Sequence, residues 1–434
     1  MKGGEALLAL WRGSGWLAHH GAPAFLGWRR RRGKEHPVRW REKLGKASLP
    51  RPDGPLAWLH GASVGETVAL LPLVEALCAQ GFAALVTSGT AASARMMQTR
   101  LPAGAMHQFA PLDTPQATGA FLDHWRPGFA MIAESELWPT WLAEARRRSI
   151  PVFLVNARMS ERSYRRWRAR PGAIAAMLAR VAIVFARTRE DGERYLDLGA
   201  GRVERGGTLK FDVAAPPADP AALAALGAAI GSRAAWAAVS THPGEEEAAL
   251  GVHTALKRRF PDLLTLIAPR HPERADAVAA LAREAGLTAA RRSAGEPILP
   301  DTDVYLVDTI GELGLVYRLA GAAFIGATLA PIGGHSPVEA AKLGAAILHG
   351  PRVEKAQEDY DMLDPAGGAL PVADAAGLAA ALAGLLGDPA RMRAVGRAAN
   401  IAVESRMGAT RRILAALAQA GGADTGPGGA EAGR

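Results

Sequence analysis

At 434 residues with 49% hydrophobic content, the chain is too long for one ordinary core and long enough for two of about 150 to 200 residues. Its single cysteine, Cys78, excludes an intrachain disulfide framework and a thiolate zinc cage, and fits a reducing compartment. The formal charge of +9 sits in residues 1–52, which hold 12 Lys/Arg against 3 Asp/Glu. The remaining body is balanced and lacks the broad basic surface of a nucleic-acid binder, so no nucleic-acid partner is expected.

The first expected element is that basic segment, 1–52. It carries Trp11, Trp16, Trp28 and Trp40 beside the run Arg29 to Arg32. Its apolar stretches, Ala6 to Trp11 and Ala22 to Trp28, are far shorter than the roughly 20 residues that span a bilayer. One reading is an arm lying on a membrane, with Trp and Leu in the headgroup boundary and Arg and Lys on anionic lipid; the other is a solvated basic tail. A cleaved signal peptide fits poorly, because the basic cluster follows the apolar part.

From Pro55, short apolar runs alternate with helical stretches. PLAWLHG, FAALVTSG, PGFAMIAES, PVFLVNAR and VAIVFART each lead into a helix, the pattern of an α/β domain with a parallel sheet, over 53–212. DVAAPPADP, with three prolines, reads as a linker over 213–220. The alternation resumes with RAAWAAVST, DLLTLIAPR, DVYLVDT, GAAFIGA and AAILHGP, giving a second α/β domain over 221–420. Residues 421–434 read as a disordered tail. Ligands of open parallel sheets bind beyond the carboxyl ends of the strands, so function is expected there, in a cleft between two such domains.

Polar clusters stand at those ends. In HGASVGE, Gly61 and Gly65 permit a tight turn, Ser63 can cap the coming helix, and Glu66 lies in its first turn. Glu66 either complements the helix dipole or is a cleft carboxylate acting as general base. In AESELWP, Glu134 and Glu136 either face one side of a strand end, each hindering ionisation of the other, or begin a helix. NARMSERS brings Asn156, Arg158 and Arg162, and GGTLKFD brings Lys210 and Asp212.

In the second half, STHPGEE and PRHPER each close a strand and open a helix. Arg270 and His271 with that helix amino terminus form a phosphate site, or else the segment is a helix cap with incidental charges. GATLAPIGGHSPVEAA carries Gly326, Gly333 and Gly334, then Ser336 as cap and Pro337 at the first helical position. Its backbone amides can cradle an anion, and Glu339 can accept from ribose hydroxyls. The loop matches neither the Walker pattern nor the dinucleotide fingerprint.

Taken together, HGASVGE, ESELWP, NARMSERS, GTLKFD, THPGEE, PRHPER, DTIGELGLVY and GGHSPVEAA resemble, in order, the 3-deoxy-manno-octulosonate (Kdo) transferases, inverting glycosyltransferases of the GT-B fold. RWREKLG is similar to that family's membrane-proximal stretch. The resemblance implies CMP-Kdo as donor, a lipid A precursor as acceptor, no cofactor and no metal, at the cytoplasmic face of the inner membrane. It implies Glu66 as general base with Glu134 assisting, and Ser63, Gly65, Glu136 and Lys210 on the acceptor side. Arg270, His271, Gly311, Glu312, Gly333, Gly334, His335, Ser336 and Glu339 fall on the donor side. Ser336, Ala340 and Thr208 depart from the family's usual Asn, Pro and Asn. Two other readings stay open: another GT-B enzyme, such as a UDP-sugar transferase or 2-epimerase, and a noncatalytic nucleotide-binding membrane scaffold.

Overall fold

The computed structural model describes residues 2–420, so the tail 421–434 lies outside the described residues. The chain forms two compact units. One comprises the residues up to Val213 together with those from Met407 onward; the other is Ala214–Arg406.

The first unit is built on seven parallel strands: β1 Leu56–His60, β2 Ala83–Ser88, β3 Ala105–Phe109, β4 Phe129–Ala133, β5 Val152–Ala157, β6 Ile183–Ala186 and β7 Val203–Arg205. Their order is β3-β2-β1-β4-β5-β6-β7. Helices cover both faces, so β1, β4 and β5 are buried along their whole length. That is why they read as continuous apolar runs. Alternate residues of β1 feed two cores: Leu56 and Trp58 pack with Phe121, Trp125 and Trp141, while Ala57 and Leu59 pack with Leu73, Val86 and Val155. The second unit repeats the plan with β8 Ala235–Thr241, β9 Leu264–Pro269, β10 Ala289–Arg291, β11 Val304–Leu306, β12 Ala322–Ile325, β13 Ala346–His349 and β14 Ala369–Pro371. Here the order is β10-β11-β9-β8-β12-β13-β14.

Both sheets reverse direction once. In the first unit the chain runs outward from β1 to β3 and then returns to place β4 on the other side of β1. In the second the chain runs from β8 through β9 to the edge strand β10, inserts β11 between β9 and β10, and then crosses to place β12 on the other side of β8. These switch points are where connections diverge and leave a crevice at the strand ends.

Three expectations need correction. The second domain was expected to run to residue 420, but the helix Ala409–Ala420 packs on the first unit. Ala409, Ile413 and Ala416 are buried with Leu70 and Leu73, and Asp212 anchors the turn by accepting from the amides of Gly408 (2.7 Å) and Thr410 (2.5 Å). Nor is 1–52 a separate arm. Lys2–Arg31 is one helix that buries Leu8, Ala22 and Leu26. Gly4 lies so close to Gly172 that a Cβ there would sit 1.9 Å from its carbonyl oxygen. Trp11 donates to Asp113 at 2.7 Å and Arg12 pairs with Glu144 at 2.7 Å. After it, the 3-10 turn Arg39–Leu44 holds the buried Glu42, which accepts from Arg39 and from the Phe109 amide (2.7 Å). The third concerns four strands absent from the expected set, β3, β7, β10 and β14. All four are edge strands, and three of them have only three residues.

Two histidines of the first sheet are held neutral. His60 is hydrogen-bonded to Thr87 (2.9 Å) and His107 to Ser88 (2.8 Å), and burial pushes each pKa down to about 3, with Arg39 adding to the effect at His107. An unfolded chain takes up protons on these rings near pH 6.5 and the folded one does not, so stability is full above that pH and falls as pH drops through it. At 1.36 kcal/mol per pH unit, each ring costs about 2 kcal/mol between pH 6.5 and 5. Thermal unfolding followed across that window should show a falling Tm, and His107→Gln should flatten the slope.

Candidate active site

At the switch point of the first unit, β1 ends at His60 and its chain turns directly into the helix Val64–Ala79. Gly61 is required there, since a Cβ would come within 2.8 Å of the Thr67 amide nitrogen. Gly65 is different: it lies inside the helix with open space around it, so its expected role in a tight turn is not what the structure shows. Ser63 caps the helix, accepting from the Glu66 amide, and its hydroxyl donates to Glu66 Oε1 at 2.7 Å. Glu66 Oε2 accepts from the Ala62 amide at 2.9 Å. Two hydrogen bonds thus fix the orientation of a half-buried carboxylate. Glu66 does stand in the first turn, where it complements the helix dipole, and its two hydrogen bonds leave lone pairs on both oxygens.

The neighbouring strand β4 ends at Ala133. Glu134 follows with φ 56°, in the left-handed region, and its amide donates to the Val155 carbonyl at 2.9 Å. The helix expected from Glu136 begins instead at Pro139, so Glu134 and Glu136 stand on a turn and not on one face of a strand. Because β1 pairs with β4, His60 opposite Ile132, the connections that carry Glu66, Glu134 and Glu136 leave the sheet side by side. Burial, and then the charges of Glu66 and Glu134, hold the Glu136 carboxyl above the usual carboxylate range against an opposing hydrogen bond from Trp138. Three carboxylates from two connections therefore converge. Asn156, at the end of β5 with φ 52°, accepts from the Leu209 amide at 3.2 Å and so seats the turn Leu209–Phe211 that carries Lys210. Arg158 and Arg162 are exposed.

At the switch point of the second unit the residues are basic. The rings of His242 and His335 stack at 5.2 Å with their Nε2 atoms 2.9 Å apart, and His271 stands edge-on to His242 at 5.8 Å. The amide of Arg270 is fixed on the Thr241 carbonyl at 3.0 Å. Burial, with the nearby charge of Arg270, pushes His335 down to about 4, and burial also lowers His242. Both rings are neutral near pH 7, one nitrogen donating to the other. The sequence signal for His242 is THPG, at the end of β8.

The glycine-rich loop after β12 differs from expectation in what its amides do. Those of Ala327, Thr328, Leu329 and Ala330 all donate to the buried carboxylate of Glu245, so they are not an open anion cradle. Gly333 and Gly334 keep positive φ, 100° and 83°, where the loop crosses the segment around Arg352 to Lys355. Ser336 donates its hydroxyl to Asp359 at 2.7 Å and accepts only a long bond from the Val338 amide at 3.5 Å, while Pro337 takes the position before the first helical residue. Glu339 is exposed one residue into the short helix, near the buried Tyr317. Gly311 and Glu312 follow β11, two strands from the switch point. Glu312 is held by Arg292 at 2.7 Å and by the Thr309 hydroxyl, which depress its pKa. Among the described residues, no group of three or more His, Cys, Asp or Glu is arranged to hold a metal ion.

Two parallel-sheet α/β units, each with its crevice at a topological switch point, define the GT-B fold class. The fold is shared with a UDP-GlcNAc 2-epimerase from Neisseria meningitidis, which is 13% identical; the match covers 84% of this chain and all of that one, with a TM-score of 0.55. Sequence narrows the class. Residues 38–213 match the family described as 3-deoxy-D-manno-octulosonic-acid transferase (kdotransferase). The 3-deoxy-D-manno-octulosonic acid transferase of Bordetella pertussis is 37% identical over 413 residues, 91% of this chain and 96% of that protein. That of Haemophilus influenzae is 32% identical over 390 residues, 87% and 91%. The chain belongs to the Kdo transferase family and is a glycosyltransferase.

Removing one carboxylate should relax its neighbours. A carboxyl-carbon NMR titration should place Glu136 above the ordinary range in the native protein and lower in Glu66→Gln, because a negative neighbour has gone.

Proposed function

We propose that this enzyme moves Kdo from CMP-Kdo to a hydroxyl of a lipid A precursor, with Glu66 as general base. The observation that carries the reading is the convergence of Glu66, Glu134 and Glu136 at the first switch point, in a chain of this family. Glu66 is the best placed base because Ser63 and the Ala62 amide already orient it. As the acceptor oxygen attacks the anomeric carbon, Glu66 takes the hydroxyl proton, the bond from that carbon to the phosphate oxygen breaks, and CMP departs. Glu134 and Glu136 orient the acceptor, with Ser63, Gly65 and Lys210 on the same unit.

The departing phosphate carries growing negative charge, and Arg270, His271 and His335 supply the donors that meet it, joined by His242. Of this neutral pair, the ring that accepts at Nε2 keeps its Nδ1–H for a phosphate oxygen, without the cost of burying a second cation beside Arg270. Gly333, Gly334 and Ser336 shape the loop around the nucleotide, and Glu339 accepts from its ribose. Gly311 and Glu312 belong to the donor side through the loop that Arg292 holds.

The helix Lys2–Arg31 gives this reading a membrane surface. Outside its buried stripe it exposes Leu7, Leu10 (71%), Leu17 (67%), Phe25 and Trp28, and part of Trp11. From Ala6 to Trp28 its one formal charge is Arg12, already paired with Glu144. Arg29 to Arg32 follow, with Arg32 over the Trp28 ring at 4.2 Å. No described helix is long and apolar enough to cross a membrane. An apolar stripe ending in an arginine cluster suits adsorption to an anionic cytoplasmic leaflet, where a lipid acceptor presents its sugars.

Incubation with CMP-Kdo and a lipid A precursor, without divalent metal, should add one or more Kdo masses to the glycolipid by mass spectrometry. Glu66→Gln should lose at least 1,000-fold in kcat with its circular dichroism unchanged; near-normal turnover would remove Glu66 as the base. Leu10→Asp with Leu17→Asp should abolish sedimentation with phosphatidylglycerol vesicles while leaving unfolding temperature within a few degrees, since both side chains face solvent.

A further inference from the structure

The carboxylate of Glu245 is 1% exposed, in the first turn of the helix Glu245–Lys257. It meets five main-chain N–H groups. Oε1 accepts from Thr328 (3.0 Å), Leu329 (2.9 Å) and Ala330 (3.2 Å), while Oε2 accepts from Ala327 (2.7 Å) and His242 (3.0 Å). A carboxylate offers about four lone-pair sites, so these contacts saturate it and leave nothing for a substrate. Its two neighbours act elsewhere: Glu246 pairs with Arg274 at 3.2 Å, and Glu247 accepts from the Gly244 amide at 2.7 Å.

We infer that Glu245 is a positioning residue for donor binding, setting the distance and angle between His242 and His335; this rests on the donor-side reading given above. The chain of contacts is short. Glu245 forces the turn in which Ala327 adopts φ 63°. The Ala327 carbonyl then accepts from the Gly334 amide (2.8 Å) and the Gly326 carbonyl from that of His335 (3.3 Å), so the position of His335 is built on that turn. His242 hangs by its own amide from the same carboxylate. Both members of the stacked histidine pair are thus referenced to one side chain, although they lie 93 residues apart in sequence. A helix-dipole partner would need one or two of these bonds, on its own helix; four of the five come from a loop more than 80 residues away.

The decisive variant is Glu245→Asp, which keeps the charge and shortens the reach. We expect the KM for CMP-Kdo to rise at least tenfold while the acceptor KM stays within twofold, with faster amide exchange at residues 327–330. If that variant does not fold, Ala330→Pro deletes the longest of the five donors, leaves Glu245 in place, and should raise the donor KM at least threefold. A donor KM within twofold of native in the variant that folds, or an equal rise in the acceptor KM, overturns the inference. His335→Ala separates this outcome from the donor-site assignment: a native donor KM there would sink the assignment itself, whatever Glu245 does.

Discussion

A main-chain amide that leaves a sheet without a strand partner must find an acceptor, because burying it unpaired costs free energy comparable to a lost hydrogen bond. In this protein carboxylates meet much of that demand. Glu245 takes the amides of the loop after β12, Asp212 those that begin the C-terminal helix, Glu42 that of Phe109, and Glu66 that of Ala62. Each ties together segments whose path would otherwise be undetermined. Three of the four carry no chemistry of their own in the proposed reaction; Glu66 serves both purposes, since the bonds that cap its helix also aim it.

The same demand explains where the reactive groups are. Strands buried on both faces admit few polar side chains along their length, and those are hydrogen-bonded, as His107 is to Ser88, so most polar groups collect at the ends, notably at the switch points beside β1 and β8. The two units use theirs in opposite senses. Carboxylates gather beyond β1 and β4, which suits removal of a proton. Histidines and Arg270 gather beyond β8 and β9, which suits a phosphate leaving group. In each cluster burial first, and then like-charged neighbours, shift the ionisation: Glu136 is kept harder to ionise, and His335 harder to protonate.

The N-terminal helix shows how one segment can serve two surfaces. Its inner stripe is small or apolar at Gly4, Leu8, Gly15, Ala22 and Leu26, allowing close approach to Gly172 and the Asp113 backbone. Its outer side carries large apolar side chains that stay exposed among the described residues. Composition alone left a membrane-lying arm and a solvated tail both open, since tryptophans and arginines in a run do not say which face is taken. The packing shows that one face is already used and the other is open.

The interior strands and the order of the polar clusters were legible in the sequence, because a strand buried on both faces must be a run of apolar residues and such a run is local information. The assignment of Glu66, Glu134, Arg270 and His271 to strand ends followed from it. The edge strands β3, β7, β10 and β14 were not legible: with one neighbour and few residues, they bury too little to leave a run. Nor was the purpose of the GEE triplet, which reads as a helix start and proves to hold a loop more than 80 residues away, or the return of the C-terminal helix to the first unit. Hydrophobic pattern records what a residue must avoid, namely water, and that is written in its own side chain. The partner that a buried carboxylate or a returning helix finds depends on where the chain brings distant backbone, and only the tertiary structure decides that.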